Sequence, residues 1–105
     1  SYSRYSRDAV ALLGALIRAA RKERAISVLE LAERVGISRG LVQRIEKGDL
    51  RCQIGAVFEV AAVVGVRLFD LEGRDLSARL RDAERTLALL PKSVRQKTKV
   101  AFDDF

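Results

Sequence analysis

Apolar residues recur along this chain at the three- and four-residue spacing of amphipathic helices, and five such stretches follow one another with short connections. The first runs from Asp8 to about Arg24, with Val10, Leu13, Ile17 and Ala20 on one face and Asp8 suited to the positive N-terminal end. Ser27 caps a second, in which Val28, Leu31, Ala32 and Val35 share a face; Glu30, three residues after Ser27, completes the spacing of a capping box. That helix stops at Gly36. Ser38 caps the third, Val42 and Ile45 point inward, and Gly48 ends the run. A fourth, from about Ile54 to Val64, is apolar nearly all round and is predicted to be the central buried helix. Gly65 closes it, and Val66, Leu68, Phe69 and Leu71 form an apolar connector. The fifth runs from about Asp75 to Leu90 on Leu76, Leu80, Ala83, Leu87 and Leu90, and Pro91 prevents its simple continuation. Its seam is too short for a coiled coil, and packing on its own domain or on a second subunit both stay open.

Beyond Pro91 the period changes from helical to two. Arg95, Lys97 and Lys99 alternate with Val94, Gln96, Thr98 and Val100, which permits either an extended strand paired to a partner edge or a disordered basic tail. The expected organisation is an arm over residues 1–7, a helical domain over 8–71, a further helix over 72–90 suited to dimerisation, and a basic tail over 91–105 that could bind a partner. The fold class is all-α.

Composition narrows the function. A chain of 105 residues with 49% hydrophobic and 32% charged residues is one ordinary globular domain's worth. It has no apolar run of bilayer-spanning length, so no membrane partner is expected. Residues 1–7 are polar and basic without a secretory cleavage pattern, and the lone Cys52 suits a reducing cytosol, so a cytoplasmic location is expected. With no histidine, serine–histidine and cysteine–histidine nucleophile pairs are unavailable, and one cysteine makes a zinc site improbable. Neither enzymatic activity nor a cofactor or metal is expected. The net charge of +6 is uneven. Residues 1–55 hold eleven Lys and Arg against six Asp and Glu, residues 56–90 hold five against six, and residues 91–105 hold four against two. A polyanionic partner for the first half is the natural reading, with solubility as the plain alternative.

The stretch VLELAERVGISRGLVQRIEKG, Val28 to Gly48, sharpens that reading. Two short helices that cross steeply with almost no loop need a small residue at the closest approach, here Ala32, and a turn residue free to take positive φ, here Gly36. Leu31, Val35, Ile37, Val42 and Ile45 would fill the wedge. Ser38 would cap the second of the two helices and leave its N-terminal amides facing an anion. These residues resemble the phage-repressor/Cro-like helix-turn-helix family, also called XRE, over Leu12 to about Leu71 and most clearly in IRAARKERAISVLELAERVGISRGLVQRIEKG.

The resemblance implies a five-helix repressor-like DNA-binding domain, here with a C-terminal helical extension, that usually binds palindromic double-stranded operators as a homodimer. It implies that the helix from Ser38 to Lys47 enters the major groove. Arg39, Gly40, Gln43 and Arg44 become its base-reading face. Arg39 and Arg44 would each grip guanine O6 and N7, Gln43 would read adenine or touch phosphate, and Gly40 would allow close approach. Candidate phosphate contacts are Ser27, Ser38, Lys47, Arg51 and the amides near Gly48. Arg21 and Glu46 match a pair that ties the first helix to the recognition helix, and Arg21 would either stay within that pair or also reach a phosphate. The chain departs from the pattern at Val28, where family members commonly carry a glutamine that contacts phosphate and braces the recognition helix. Leu41 would meet a thymine methyl or cover its neighbours. The arm SYSRYSR would track DNA or lie disordered.

Three kinds of function follow. One is an autonomous repressor. The second is an antitoxin that binds DNA and also holds a toxin, since the added helix and the tail ending KVAFDDF resemble HipB-like antitoxins, partners of HipA-type kinases. The third is a helical interaction module that keeps the fold without DNA binding.

Overall fold

The computed structural model describes residues 1–69 and 73–94. Five helices stand in order: α1 (Arg4–Glu23), α2 (Val28–Val35), α3 (Arg39–Glu46), α4 (Ile54–Val64) and α5 (Gly73–Leu89). There is no β-strand among the described residues. The period-two stretch lies almost wholly in residues 95–105, outside them. The chain divides into two compact units, Ser1–Asp70 and Leu71–Phe105.

In the first unit, α1 packs on α3 and α4, and α2 packs on the same two helices. Ile17, Leu31, Val42, Val60 and Val64 are fully buried where they meet, and Ile26, Ala32, Ile45 and Ala61 close the core around them. Burying each large aliphatic side chain contributes about 1.5–3 kcal/mol, so this small core carries most of the hydrophobic stabilisation of the unit.

Local signals set the helix ends. Ser27 Oγ accepts a hydrogen bond from Glu30 N at 3.0 Å. The reciprocal half of the capping box is replaced: the Glu30 carboxylate pairs instead with Arg34, one turn along, at 2.6 Å. Gly36 takes φ 83° and ψ 33°, and the amides of Gly36 and Ile37 both donate to Ala32 O, at 2.8 and 3.0 Å. This left-handed residue lets the chain reverse within three residues before Ser38 caps α3.

Two expectations are corrected. α1 begins at Arg4, not Asp8, because Ser3 caps it, its Oγ accepting from Ser6 N at 3.2 Å. Only residues 1–3 precede the helix, and Arg7 donates from Nε and Nη2 back to Tyr2 O, at 3.3 and 3.1 Å. The first turns of α1 are exposed, which is why no apolar periodicity marks them. Nor is α4 buried all round. Val60, Ala61 and Val64 face the core, but Ile54 is 72% exposed and Phe58 40%. In the connector after α4, Val66 and Leu68 pack on the core, whereas Phe69 lies exposed with its ring edge-on to Phe58 at 6.2 Å.

In the second unit, α5 starts two residues before Asp75 and ends at Leu89, and none of its described residues is buried. Leu76, Leu80 and Leu87 stand exposed at helical spacing.

Candidate nucleic-acid interface

Helix α3 has two unlike faces. Val42 and Ile45 are buried at 0% and 3% exposure, and Leu41 packs partly against the same core. On the other side Arg39, Gly40, Gln43, Arg44 and Lys47 are all exposed. Positions 39, 40, 43, 44 and 47 fall on one stripe of a 3.6-residue helix, so three cations and an amide project together. At the N-terminal end Ser38 Oγ accepts from Leu41 N at 3.0 Å, and the first intrahelical bond runs from Val42 N to Ser38 O at 3.2 Å. The amides of Arg39 and Gly40 precede that bond and are available to an anion.

One buried ion pair fixes the pose of α3. Arg21 Nε and Nη2 donate to Glu46 Oε2 and Oε1 at 2.6 and 3.0 Å, and Nη1 donates to Ile26 O at 2.9 Å. Both side chains are almost wholly covered, at 10% and 5% exposure. The hydrogen bonds that it donates to Glu46 hold the Arg21 guanidinium even more firmly charged than usual, against the opposing effect of burial. A bidentate fork of this kind ties α1 to the C-terminal end of α3 with fixed geometry. Gly14 completes the join: a Cβ there would stand 2.5 Å from Ile45 O and 2.8 Å from Glu46 O, so only glycine lets α1 come this close.

A second ion pair lies on the exposed side. Arg44 Nε donates to Asp49 Oδ2 at 2.8 Å, and Asp49 Oδ1 accepts from the Arg51 amide at 2.9 Å. The Arg44 hydrogen bond, then the one from the Arg51 backbone, hold the Asp49 carboxyl below its ordinary range, and Asp49 in turn raises Arg44. The Cys52 thiol nearby is half-covered, and burial pushes it up.

Between α1, α2 and α3 a cleft is lined by Arg18, Arg21, Val28, Gln43, Glu46 and Lys47. With Arg21 and Glu46 satisfied by each other, Arg18 and Lys47 give it a positive character. Val28 packs partly against the core on its wall.

The helix-turn-helix family model matches residues 17–71, more than half of the chain. This protein belongs to the helix-turn-helix family, of the phage-repressor/Cro-like (XRE) type. It is accordingly a DNA-binding regulator with the all-α fold of a repressor head. Among curated proteins and among solved structures, nothing matches the chain. No described helix is long and apolar enough to cross a membrane.

The residues singled out in the sequence of this XRE-type protein fall into three groups. Arg39, Gly40, Gln43, Arg44 and Lys47 share the exposed face of α3. Ser27 and Ser38 stand exposed at the starts of α2 and α3, and Arg51, with its side chain 85% exposed, follows the turn after α3. Arg21 is apart from both, buried with Glu46. Two residues were missed. Arg18, one turn before Arg21 on the same helix, lines the cleft, and its spacing of three was the available signal. Asp49 was hidden because its pairing with Arg44 crosses the turn at Gly48, where helical spacing says nothing.

Proposed function

We propose that this protein is a sequence-specific repressor that lays α3 in the major groove of double-stranded DNA and binds a palindromic operator as a homodimer. One observation carries the reading. α3 sets Arg39, Gln43, Arg44 and Lys47 side by side in solvent while its opposite face is locked into the core. Arg39 and Arg44 read guanine through O6 and N7, Gln43 reads adenine or meets phosphate, and Gly40 admits the close approach of base or backbone. Ser27, Ser38, Lys47, Arg51 and Arg18 hold phosphates and set the register. Arg21 is left out of that set, since each of its three guanidinium nitrogens donates within the protein.

A single recognition helix reads too few base pairs for useful specificity, which favours a dimer whose two helices lie about one DNA turn apart. The exposed Ile54 and Phe58 on α4, and the exposed leucines of α5, are the apolar surfaces that support pairing through this region. Binding should weaken steeply with salt as counterions are released, and sedimentation should show a dimer at micromolar concentration. A flat salt response argues for an interaction module without DNA binding; a monomer with and without DNA removes the palindrome.

The unit beyond residue 70 lies outside the repressor head and favours one further reading, an antitoxin that also holds a toxin protein. Deleting residues 92–105 should then spare DNA binding and abolish capture of a kinase-type partner. Intact capture after that deletion contradicts it.

A further inference from the structure

Asp49 is a carboxylate placed on a face otherwise arranged for an anion. Its side chain is 23% exposed, between Arg44 at 50% and Arg51 at 85%. Negative charge beside DNA phosphates weakens binding to any sequence, and nothing in the core depends on it. Its effect falls on Arg44. Oδ2 takes Arg44 Nε, Oδ1 takes the Arg51 amide, and the carboxylate is thereby held from the backbone side of the turn while it holds the guanidinium. Among the described residues no acceptor engages Arg44 Nη1 or Nη2. The nitrogens left over are those that form a two-pronged fork to guanine O6 and N7. Arg39, on the same face, makes no ion pair among the described residues and keeps its rotamer freedom, so the two arginines are not equivalent.

We propose that Asp49 is a positioning residue for sequence discrimination: it fixes the Arg44 guanidinium in a base-reading orientation while weakening contact with DNA of any sequence. The inference rests on the reading of α3 as the recognition helix, and it names Arg44 as the more discriminating of the two arginines. Freed from Asp49, Arg44 would turn to the nearest phosphate, so affinity and specificity move in opposite directions.

The test uses the full chain and a pool of randomised DNA duplexes. Bound sequences are selected with the unchanged protein, Arg44→Ala, Asp49→Ala, Asp49→Asn and the Arg44→Ala/Asp49→Ala double variant. The best duplex and a scrambled one are then titrated by fluorescence anisotropy. Arg44→Ala should erase the base preference at one position of each half-site. Asp49→Ala should lower the preference at that same position about fivefold or more, leave other positions as they were, and tighten binding to the scrambled duplex about two- to fivefold. Its dependence on salt should steepen by about one phosphate contact. The double variant should be no less selective than Arg44→Ala alone. Asp49→Asn keeps one acceptor oxygen and puts an NH2 donor in place of the other, without the charge, so it can serve the Arg51 amide or Arg44 Nε but not both. It should be no less selective than Asp49→Ala, fall short of the unchanged protein, and still bind the scrambled duplex more tightly. Unchanged preference at the Arg44 position in Asp49→Ala, or an equal loss at every position, overturns the proposal and leaves the role of Arg44 standing. If Arg44→Ala itself alters no position, the base-reading role of Arg44 falls, and this inference with it.

Discussion

The three guanidinium nitrogens of Arg21 donate to Glu46 and to Ile26 O inside the protein, and that residue shows most sharply how a charged side chain becomes scaffold. Removing one partner strands the other charge without water. Glu46→Ala should therefore cost about 3 kcal/mol or more in a denaturant melt, whereas Arg34→Ala, which breaks an exposed pair, should cost under about 0.5 kcal/mol. Gly40 gives a prediction with opposed signs. A Cβ there meets nothing closer than Ser38 Oγ at 3.9 Å, so Gly40→Ala should stabilise α3 by up to about 1 kcal/mol. The same methyl stands on the face proposed to approach DNA, and affinity in a gel shift should fall. For pH the sign follows from Asp49. Its carboxyl is held low, so its contact with Arg44 is complete above the ordinary carboxylate range and is lost only as pH falls through the lowered value. Base discrimination should stay flat from about pH 5.5 to 8.5, where an unperturbed aspartate is already ionised. Of these residues, the spacing of Arg21 and Glu46 was legible through the family resemblance. The Arg44–Asp49 pair was not, since it depends on how the chain turns at Gly48.

At the scale of elements, four helix starts or stops are written plainly in single residues: Ser27, Gly36, Ser38 and Gly65. These ends were legible because capping and left-handed turns need particular residue types at fixed offsets. The start of α1 was not, since Ser3 acts on a turn that buries nothing. The tight join of α1 to α3 was also hidden, for a glycine inside a helical pattern gives no hint of which neighbour requires it. Gly14→Ala must push its methyl against two backbone carbonyls and should destabilise by about 1–3 kcal/mol, read as a lower Tm. The end of α1 allows a gain instead. Ala25 sits at φ 56° just after the helix, in a position that suits glycine, and Ala25→Gly should stabilise by about 0.5–1 kcal/mol. A melt that shows Ala25→Gly less stable than the parent contradicts this account of the turn.

For the whole molecule, uniform hydrophobicity misled where amphipathic patterning did not. α4 reads as buried all round, yet its Ile54 and Phe58 side is open, because a sequence apolar on every face does not say which face a small core can cover. The core itself is few residues deep. Leu31→Ala should cost about 2–5 kcal/mol, a large part of the total stability of a domain this size, and circular dichroism should find it partly unfolded at moderate temperature. Those buried residues matter to function by keeping the far face of α3 turned outward. Methylation interference on the selected duplex tests that placement most directly, because guanine N7 lies in the major groove and adenine N3 in the minor. Methylation at the N7 of the guanines preferred in each half-site should block binding. Binding that survives every N7 methylation and fails only when adenine N3 is modified would contradict the major-groove placement of α3.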